Sequence, residues 1–157
     1  RYSYEIIRGT KEFVINLTTE DLTWATDYCG VRSGRDVDKF AETGLTPEKA
    51  QHLNYAPVIE ESPVNIECRV LEIKELGTHH MFLAEVVGVS VDEAYLDEKE
   101  RVDLNRTGLV AYSHGSYMTL GEACGSFGYS DRRKKRKPES GRRKAQQKRK
   151  AERRNRK

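Results

Sequence analysis

The alternation of apolar and polar residues is strongest between positions 64 and 91 and predicts two long antiparallel strands. From Val64 to Val70 every second residue is apolar and the residues between are polar, which is typical of a strand with one buried side and one side facing water. The phase shifts at Leu71, which predicts a β-bulge near Val70-Leu71 of the kind found in barrel walls. Gly77-Thr78 is the predicted turn.

The second strand of this pair, residues 81–89, is apolar on both sides apart from Glu85, and we expect it to be a central strand. The run Phe13–Leu17 is short, apolar and β-branched, and it predicts a buried strand. Residues 109–112 predict a last apolar strand, followed by a tight turn.

Capping residues mark the predicted helices. Ser3 is placed to cap a short helix that Gly9 ends, and Thr18-Thr19 to cap a helix ending at Cys29-Gly30. The segment 36–40 begins another helix, stopped by Gly44.

Thr46-Pro47-Glu48 predicts a further helical turn, with proline at its first position. Residues 51–63 predict irregular chain or an edge strand because they contain Pro57 and Pro63. Long strands joined by a short turn, with helices elsewhere, favour an α+β, mainly β fold built on an antiparallel sheet or small barrel.

Charge divides the chain into two parts. The 157 residues carry a net charge of +3, but residues 131–157 contain 16 lysines and arginines against three acids. Residues 1–130 are acidic and have the length of one domain. The segment 131–157 contains almost no apolar residues, so we expect a disordered basic tail.

The cysteines argue against a disulfide framework or a zinc ribbon, because Cys29, Cys68 and Cys124 are odd in number and widely spaced. We therefore expect reduced thiols, a cytoplasmic location and no metal site. No apolar run approaches the roughly 18 residues of a membrane-spanning helix.

Six short blocks along residues 1–130 occur in the order and spacing of a known family. They are Phe13–Leu17, Ala25–Gly30 with Ser33–Phe40, Gly44–Thr46, Pro63–Cys68, Gly77–His79 and Tyr112–Tyr117. With these blocks the chain resembles the flavoredoxin-like branch of the flavin reductase family, which has an FMN-binding split barrel.

The resemblance implies an antiparallel split β-barrel with short helical insertions, and a homodimer with FMN near its interface. It also implies an oxidoreductase that passes electrons from NAD(P)H or another donor to flavin or a downstream acceptor. The family domain begins with several strands before the position of Arg1, so the expected fold is truncated at the N-terminus.

The family's cofactor residues carry over to matching positions here. Ser3 matches a hydroxyl near the FMN phosphate, where free backbone N–H groups suit an anion, although a plain helix cap explains it as well. Arg1 is placed to pair with the phosphate, or is merely solvated. Lys39 matches the lysine that approaches the flavin ring, and its alternative is an exposed helix lysine.

Two further groups complete the implied site. The loop containing Cys29, Gly30 and Ser33 lets the backbone approach the cofactor, and Asp38 orients its neighbours. Tyr112, Tyr117 and His114 match the segment beside the flavin ring, with His114 as the implied catalytic residue. Core packing of the tyrosines and an exposed turn histidine are the alternatives.

The basic tail supports a hypothesis of a different class. Its clusters bind polyanions without reading sequence, and it has no interleaved aromatic residues for base stacking. The alternative function is therefore a flavin-incompetent relic whose tail 131–157 makes nonspecific contact with nucleic acid or another polyanion.

Overall fold

An antiparallel sheet of three strands organises the first 120 residues. The structure, a computed structural model, describes residues 1–133, so the predicted tail lies almost wholly outside the described residues. The chain divides into one unit spanning Arg1–Leu120 and another that begins at Gly121. No helix in the described part is long and apolar enough to cross a membrane.

The elements follow one another in a mixed α and β order. The helices are α1 (Tyr2–Thr10), α2 (Thr23–Val31), α3 (Lys39–Thr43) and, in the second unit, α4 (Tyr129–Arg133). The strands are β1 (Glu12–Asn16), β2 (Pro47–Glu48), β3 (Val58–Ile59), β4 (Val64–Glu75), β5 (His80–Val91), β6 (Val110–Ser113) and β7 (Ser116–Thr119). Short 3₁₀ turns cover Glu93–Tyr95 and Leu104–Arg106.

The main sheet has the strand order β1-β4-β5, and β2-β3 and β6-β7 form two smaller antiparallel pairs. The predicted long strand pair and its bulge are confirmed, since the register of β4 against β5 shifts between Val70 and Glu72. A second shift lies between Glu67 and Cys68. The fold is therefore α+β with antiparallel strands, and no closed barrel forms within the described residues.

The prediction that β5 is a central strand is wrong, because β4 occupies the centre and β5 the edge. The apolar residues of β5 nevertheless pair with apolar residues of the neighbouring strand. Cross-strand rows join Ile15 to Ile66 and Val89, and Cys68 to Val86. Ile15, Val86 and Val89 remain 46–57% exposed, so part of this apolar face lacks cover within the described chain.

The opposite face of the sheet is polar but buried, contrary to the predicted solvent-facing side of β4. Glu67 is only 2% exposed, and its carboxylate accepts hydrogen bonds from the backbone N–H groups of Gln51 (3.2 Å) and His52 (2.7 Å). Glu12 on β1 accepts likewise from Asn54 (2.9 Å) and Tyr55 (2.8 Å). The segment 50–55 thus covers this face because two carboxylates satisfy its free amides.

Three local predictions are corrected. Thr46-Pro47-Glu48 forms no helical turn, because Pro47 and Glu48 pair with β3 as β2. Ser3 lies inside the first turn of α1, whose N-cap is Arg1. The helix expected directly after Thr18-Thr19 begins at Thr23, and Leu22 is its N-cap.

The helix predicted near 36–40 is confirmed as α3. The Asp38 side chain caps it by accepting from the N–H groups of Phe40 and Ala41. Gly44 ends it in the left-handed region at φ 70°.

The Glu12 carboxylate makes the stability of the fold depend on pH. Burial raises the pKa of Glu12, but hydrogen bonds from the Tyr55, Asn54 and Ala56 amides outweigh it, and the net pKa is lowered. A lowered pKa in the folded state stabilises the protein above the ordinary carboxyl range, and that stabilisation is lost as pH falls through the folded pKa.

We therefore expect Glu12→Gln to lower the free energy of unfolding by about 1–2 kcal/mol at pH 7, and by less as the solution is acidified. Urea unfolding at a series of pH values measures this. Glu75→Gln, at an exposed glutamate of the same sheet, is the control and should change little. Equal losses in Glu12→Gln at pH 7 and pH 3 would contradict the prediction.

Candidate functional site

One open cleft brings together most of the residues that the sequence predicts to bind a cofactor. It lies among the start of α1, the end of α2, the loop after α2 and the start of α3, and its volume is about 1210 Å³. Seven of the predicted residues line it: Arg1, Ser3, Cys29, Gly30, Ser33, Asp38 and Lys39.

The start of α1 contributes hydrogen-bond donors to the cleft. The N-cap residue Arg1 makes no side-chain capping bond, and the N–H groups of Tyr2 and Ser3 have no acceptor within the helix. The N–H of Tyr4 donates to the Arg1 carbonyl at 3.1 Å. Ser3, in this first turn, is exposed. The Arg1 guanidinium reaches across to α2 and donates to the carbonyl of Gly30 at 3.0 Å.

Lys39, the first residue of α3, is half-buried against the end of α2. Its Nζ donates to the carbonyl of Cys29 at 2.6 Å, which is a neutral acceptor and leaves the positive charge uncompensated. Asp38 beside it uses one carboxylate oxygen to accept from Phe40 (3.0 Å) and Ala41 (3.2 Å). Asp38 therefore orients α3 and, through it, Lys39.

The backbone of the loop after α2 is held by hydrogen bonds, while side chains of the loop line the cleft. The Ser33 hydroxyl accepts from the Arg35 amide at 3.2 Å, so its own proton is free to donate. Gly34 packs against the ring of Tyr2, where an added Cβ would come within 3.4 Å of the ring. Cys29 contributes its carbonyl group to the Lys39 contact.

Two cleft arginines, Arg32 and Arg35, were not predicted from the sequence. Arg35 pairs with Glu5 of α1 at 2.6 Å and lies 5.0 Å from the centre of the Tyr2 ring. The hydrogen bond between the two raises the pKa of Arg35 and lowers that of Glu5. The two residues of this pair are 30 positions apart in the chain, so the pairing cannot be read from a local pattern. The arginine in the Ser33-Gly34-Arg35 loop was the only sequence feature that pointed to a charged group at this position.

The predicted aromatic and imidazole residues lie on the β6-β7 hairpin and do not line the cleft. The rings of Tyr112 and Tyr117 meet edge to face at 5.1 Å. His114 is exposed in the turn at φ 48°, and Gly115 follows at φ 80°, which forms a two-residue hairpin turn.

The hairpin is tied to the helix that borders the cleft. The Tyr117 hydroxyl donates to Asp27 of α2 at 3.1 Å. Burial and this hydrogen bond both raise the pKa of Tyr117. The backbone N–H of Val110 also donates to the carbonyl of Thr18 at 3.1 Å.

The donor set of the cleft fits a phosphate-bearing cofactor. Free amides, a hydroxyl and cations suit a phosphate, while Ile6, Val37 and Phe40 add apolar lining for a ring. Among the described side chains, no group of three or more metal-ligating residues comes together.

Comparison with known proteins agrees with this chemistry. The model of the family described as "Flavin reductase like domain" matches residues 1–121. An uncharacterized protein of Archaeoglobus fulgidus is 30% identical over 119 residues, which are 76% of this chain and 66% of that protein. The chain thus spans less than two thirds of that relative's length.

Two solved structures are also similar. Flavoredoxin of Desulfovibrio vulgaris superposes with a TM-score of 0.75 at 30% identity, over 83% of this chain and 70% of its own. Flavoredoxin of Methanosarcina acetivorans gives 0.73 at 30% identity, over 81% and 67%. Both resemblances confirm the split-barrel fold predicted from the sequence blocks.

Proposed function

The chain belongs to the flavin reductase like family, and from this we propose that it is an FMN-dependent oxidoreductase of the flavoredoxin type. A flavin-related oxidoreductase function follows from the family. The finer proposal is that electrons pass from NAD(P)H to FMN and then to free flavin or another acceptor. The widely spaced cysteines support a cytoplasmic location.

The observation that carries the proposal is the donor set at the start of α1. Ser3, Arg1 and the first N–H groups of the helix lie at one cleft, and together they match a phosphate dianion in charge and hydrogen bonding. Bound there, FMN would supply two-electron redox chemistry. The residues of this chain hold and orient it.

Lys39 is proposed to act on the flavin ring. Its Nζ is fixed by the Cys29 carbonyl, so it presents an ordered positive charge that stabilises negative charge on a reduced ring. Tyr112, Tyr117 and His114 lie on the hairpin tied to α2, and we propose that they steer the nicotinamide, with His114 the candidate catalytic group.

The test compares FMN with riboflavin, which lacks the phosphate. We expect Ser3→Ala to weaken FMN binding about tenfold, because it removes one hydrogen bond to a charged group, and to leave riboflavin binding unchanged. Quenching of flavin fluorescence measures both affinities. Ser116→Ala, at an exposed serine of β7, is the control.

Two outcomes contradict the proposal. An equal effect of Ser3→Ala on FMN and riboflavin would place the phosphate elsewhere. Absence of both FMN binding and NAD(P)H oxidation in the full chain would exclude the reductase function.

We also propose that the protein forms a homodimer. The support is the partly uncovered apolar face of the main sheet, where Ile15, Val86 and Val89 are 46%, 57% and 57% exposed. Exposed apolar residues in contiguous cross-strand rows favour burial against another surface, and a second copy of the chain is the proposed partner.

We expect Val89→Glu to shift the protein from dimer to monomer, because a charge on this face must lose its hydration when the face is buried. Light scattering after size-exclusion chromatography measures the mass. Val102→Glu, at a valine 44% exposed outside the sheet, should remain dimeric. A monomeric unmodified chain, or dimeric Val89→Glu, would refute this assignment of the interface.

A second candidate function rests on the charge of residues 131–157. Sixteen basic residues against three acids favour nonspecific binding of nucleic acid, through release of counterions. In this case the cleft would be the relic of a flavin site and would no longer bind flavin.

We expect affinity for a random-sequence duplex to fall steeply between 50 and about 200 mM salt and to disappear when residues 131–157 are removed. Fluorescence anisotropy measures this binding. Affinity that survives the truncation would exclude the tail as the binding segment. Tight FMN binding by the full chain would contradict the relic hypothesis.

A further inference from the structure

Arg32 differs from the other cationic side chains of the cleft in how its charge is used. Arg35 is paired with Glu5 at 2.6 Å, while Arg1 and Lys39 donate to backbone carbonyls of α2. Arg32 lines the cleft and is exposed, and its guanidinium has no hydrogen bond or ion pair with the side chains and backbone described for residues 1–131. All the N–H donors of this guanidinium are therefore available to a ligand.

The backbone that carries Arg32 is fixed even though the side chain is free. Its N–H donates to the carbonyl of Tyr28 at 3.0 Å, and its extended conformation (φ −97°, ψ 144°) ends α2. Arg1 holds the carbonyl of Gly30, two residues earlier. Because the backbone is already ordered, a ligand that engages Arg32 has only side-chain rotamers to immobilise.

The proposed phosphate site occupies only one part of the cleft. The cleft is open to solvent, and its volume of about 1210 Å³ lies slightly above the roughly 300–1,000 Å³ typical of ligand pockets. The proposed site for the FMN phosphate consists of Ser3, Arg1 and the first amides of α1, and it does not include Arg32.

We propose, on the basis of the proposed function, that Arg32 binds the 2′-phosphate of the nicotinamide dinucleotide, so that the chain uses NADPH in preference to NADH. A guanidinium presents a planar fork that matches the oxygens of a phosphomonoester. NADH carries an uncharged hydroxyl at that position and offers Arg32 no ion pair.

The exposure of Arg32 suits a substrate that is exchanged in every turnover. In the proposed reaction NADPH would give up a hydride, which is two electrons and one proton, to the bound flavin and leave as NADP⁺, and a proton from the solvent would complete the reduction. A salt-sensitive contact at an exposed arginine is weak enough to permit that release.

Equilibrium binding tests the assignment without any flavin. Isothermal titration of the full chain compares adenosine 2′,5′-bisphosphate, which carries the 2′-phosphate, with adenosine 5′-monophosphate. We expect the unmodified chain to bind the bisphosphate at least about tenfold more tightly, and Arg32→Gln to lose that preference while its affinity for the monophosphate stays unchanged.

Two further variants sharpen the result. Arg106→Gln, at an exposed arginine remote in sequence from the cleft loop, is the matched control and should keep the preference. Arg32→Lys keeps the charge but lacks the planar fork, so we expect it to retain part of the preference. It also carries the test if Arg32→Gln does not fold.

Equal affinity of the unmodified chain for the two nucleotides, or a preference that survives Arg32→Gln, would overturn the inference. An FMN titration of the same proteins separates this result from the proposed function. Loss of nucleotide preference with intact FMN binding supports the role of Arg32. If the unmodified chain does not bind FMN, the flavin proposal fails, while the nucleotide comparison is still read independently.

Discussion

The cleft depends on two cations that hold the last carbonyl groups of α2. Arg1 donates to the carbonyl of Gly30 and Lys39 to that of Cys29, so residues from α1 and α3 meet at the same helix end. The C-terminal end of a helix carries partial negative charge, which favours cations there. Neither contact neutralises the cation, and the helix end therefore concentrates positive charge at an open surface.

The sheet illustrates which parts of the fold a sequence can predict. The strand pair β4-β5, its bulge and the end of α3 at Gly44 follow from local patterns, and they were predicted correctly. The burial of Glu12 and Glu67 was not, since the amides that satisfy these carboxylates belong to a segment up to 43 residues away. A charged residue on a strand predicts water contact unless such a remote partner exists.

The same distinction applies to the candidate site. The family resemblance identified the cleft residues of α2, the loop after it and α3, because these lie in the contiguous block Ala25–Gly30 with Ser33–Phe40. Arg1 and Ser3 lie outside the blocks and were matched to family positions one residue at a time. The resemblance did not identify the pairing of Arg35 with Glu5, which depends on how α1 packs. Three predicted residues, Tyr112, His114 and Tyr117, lie on the hairpin outside the cleft.

The hydrogen bond between Tyr117 and Asp27 has a mechanical consequence. Asp27 lies in the middle of α2, and the end of α2 forms one wall of the cleft. A helix of nine residues moves largely as one rigid body, because hydrogen bonds along its backbone connect successive turns. Any displacement of α2 would therefore act directly on β7 through this hydrogen bond, and a change in the position of the hairpin would act in the same way on the wall of the cleft.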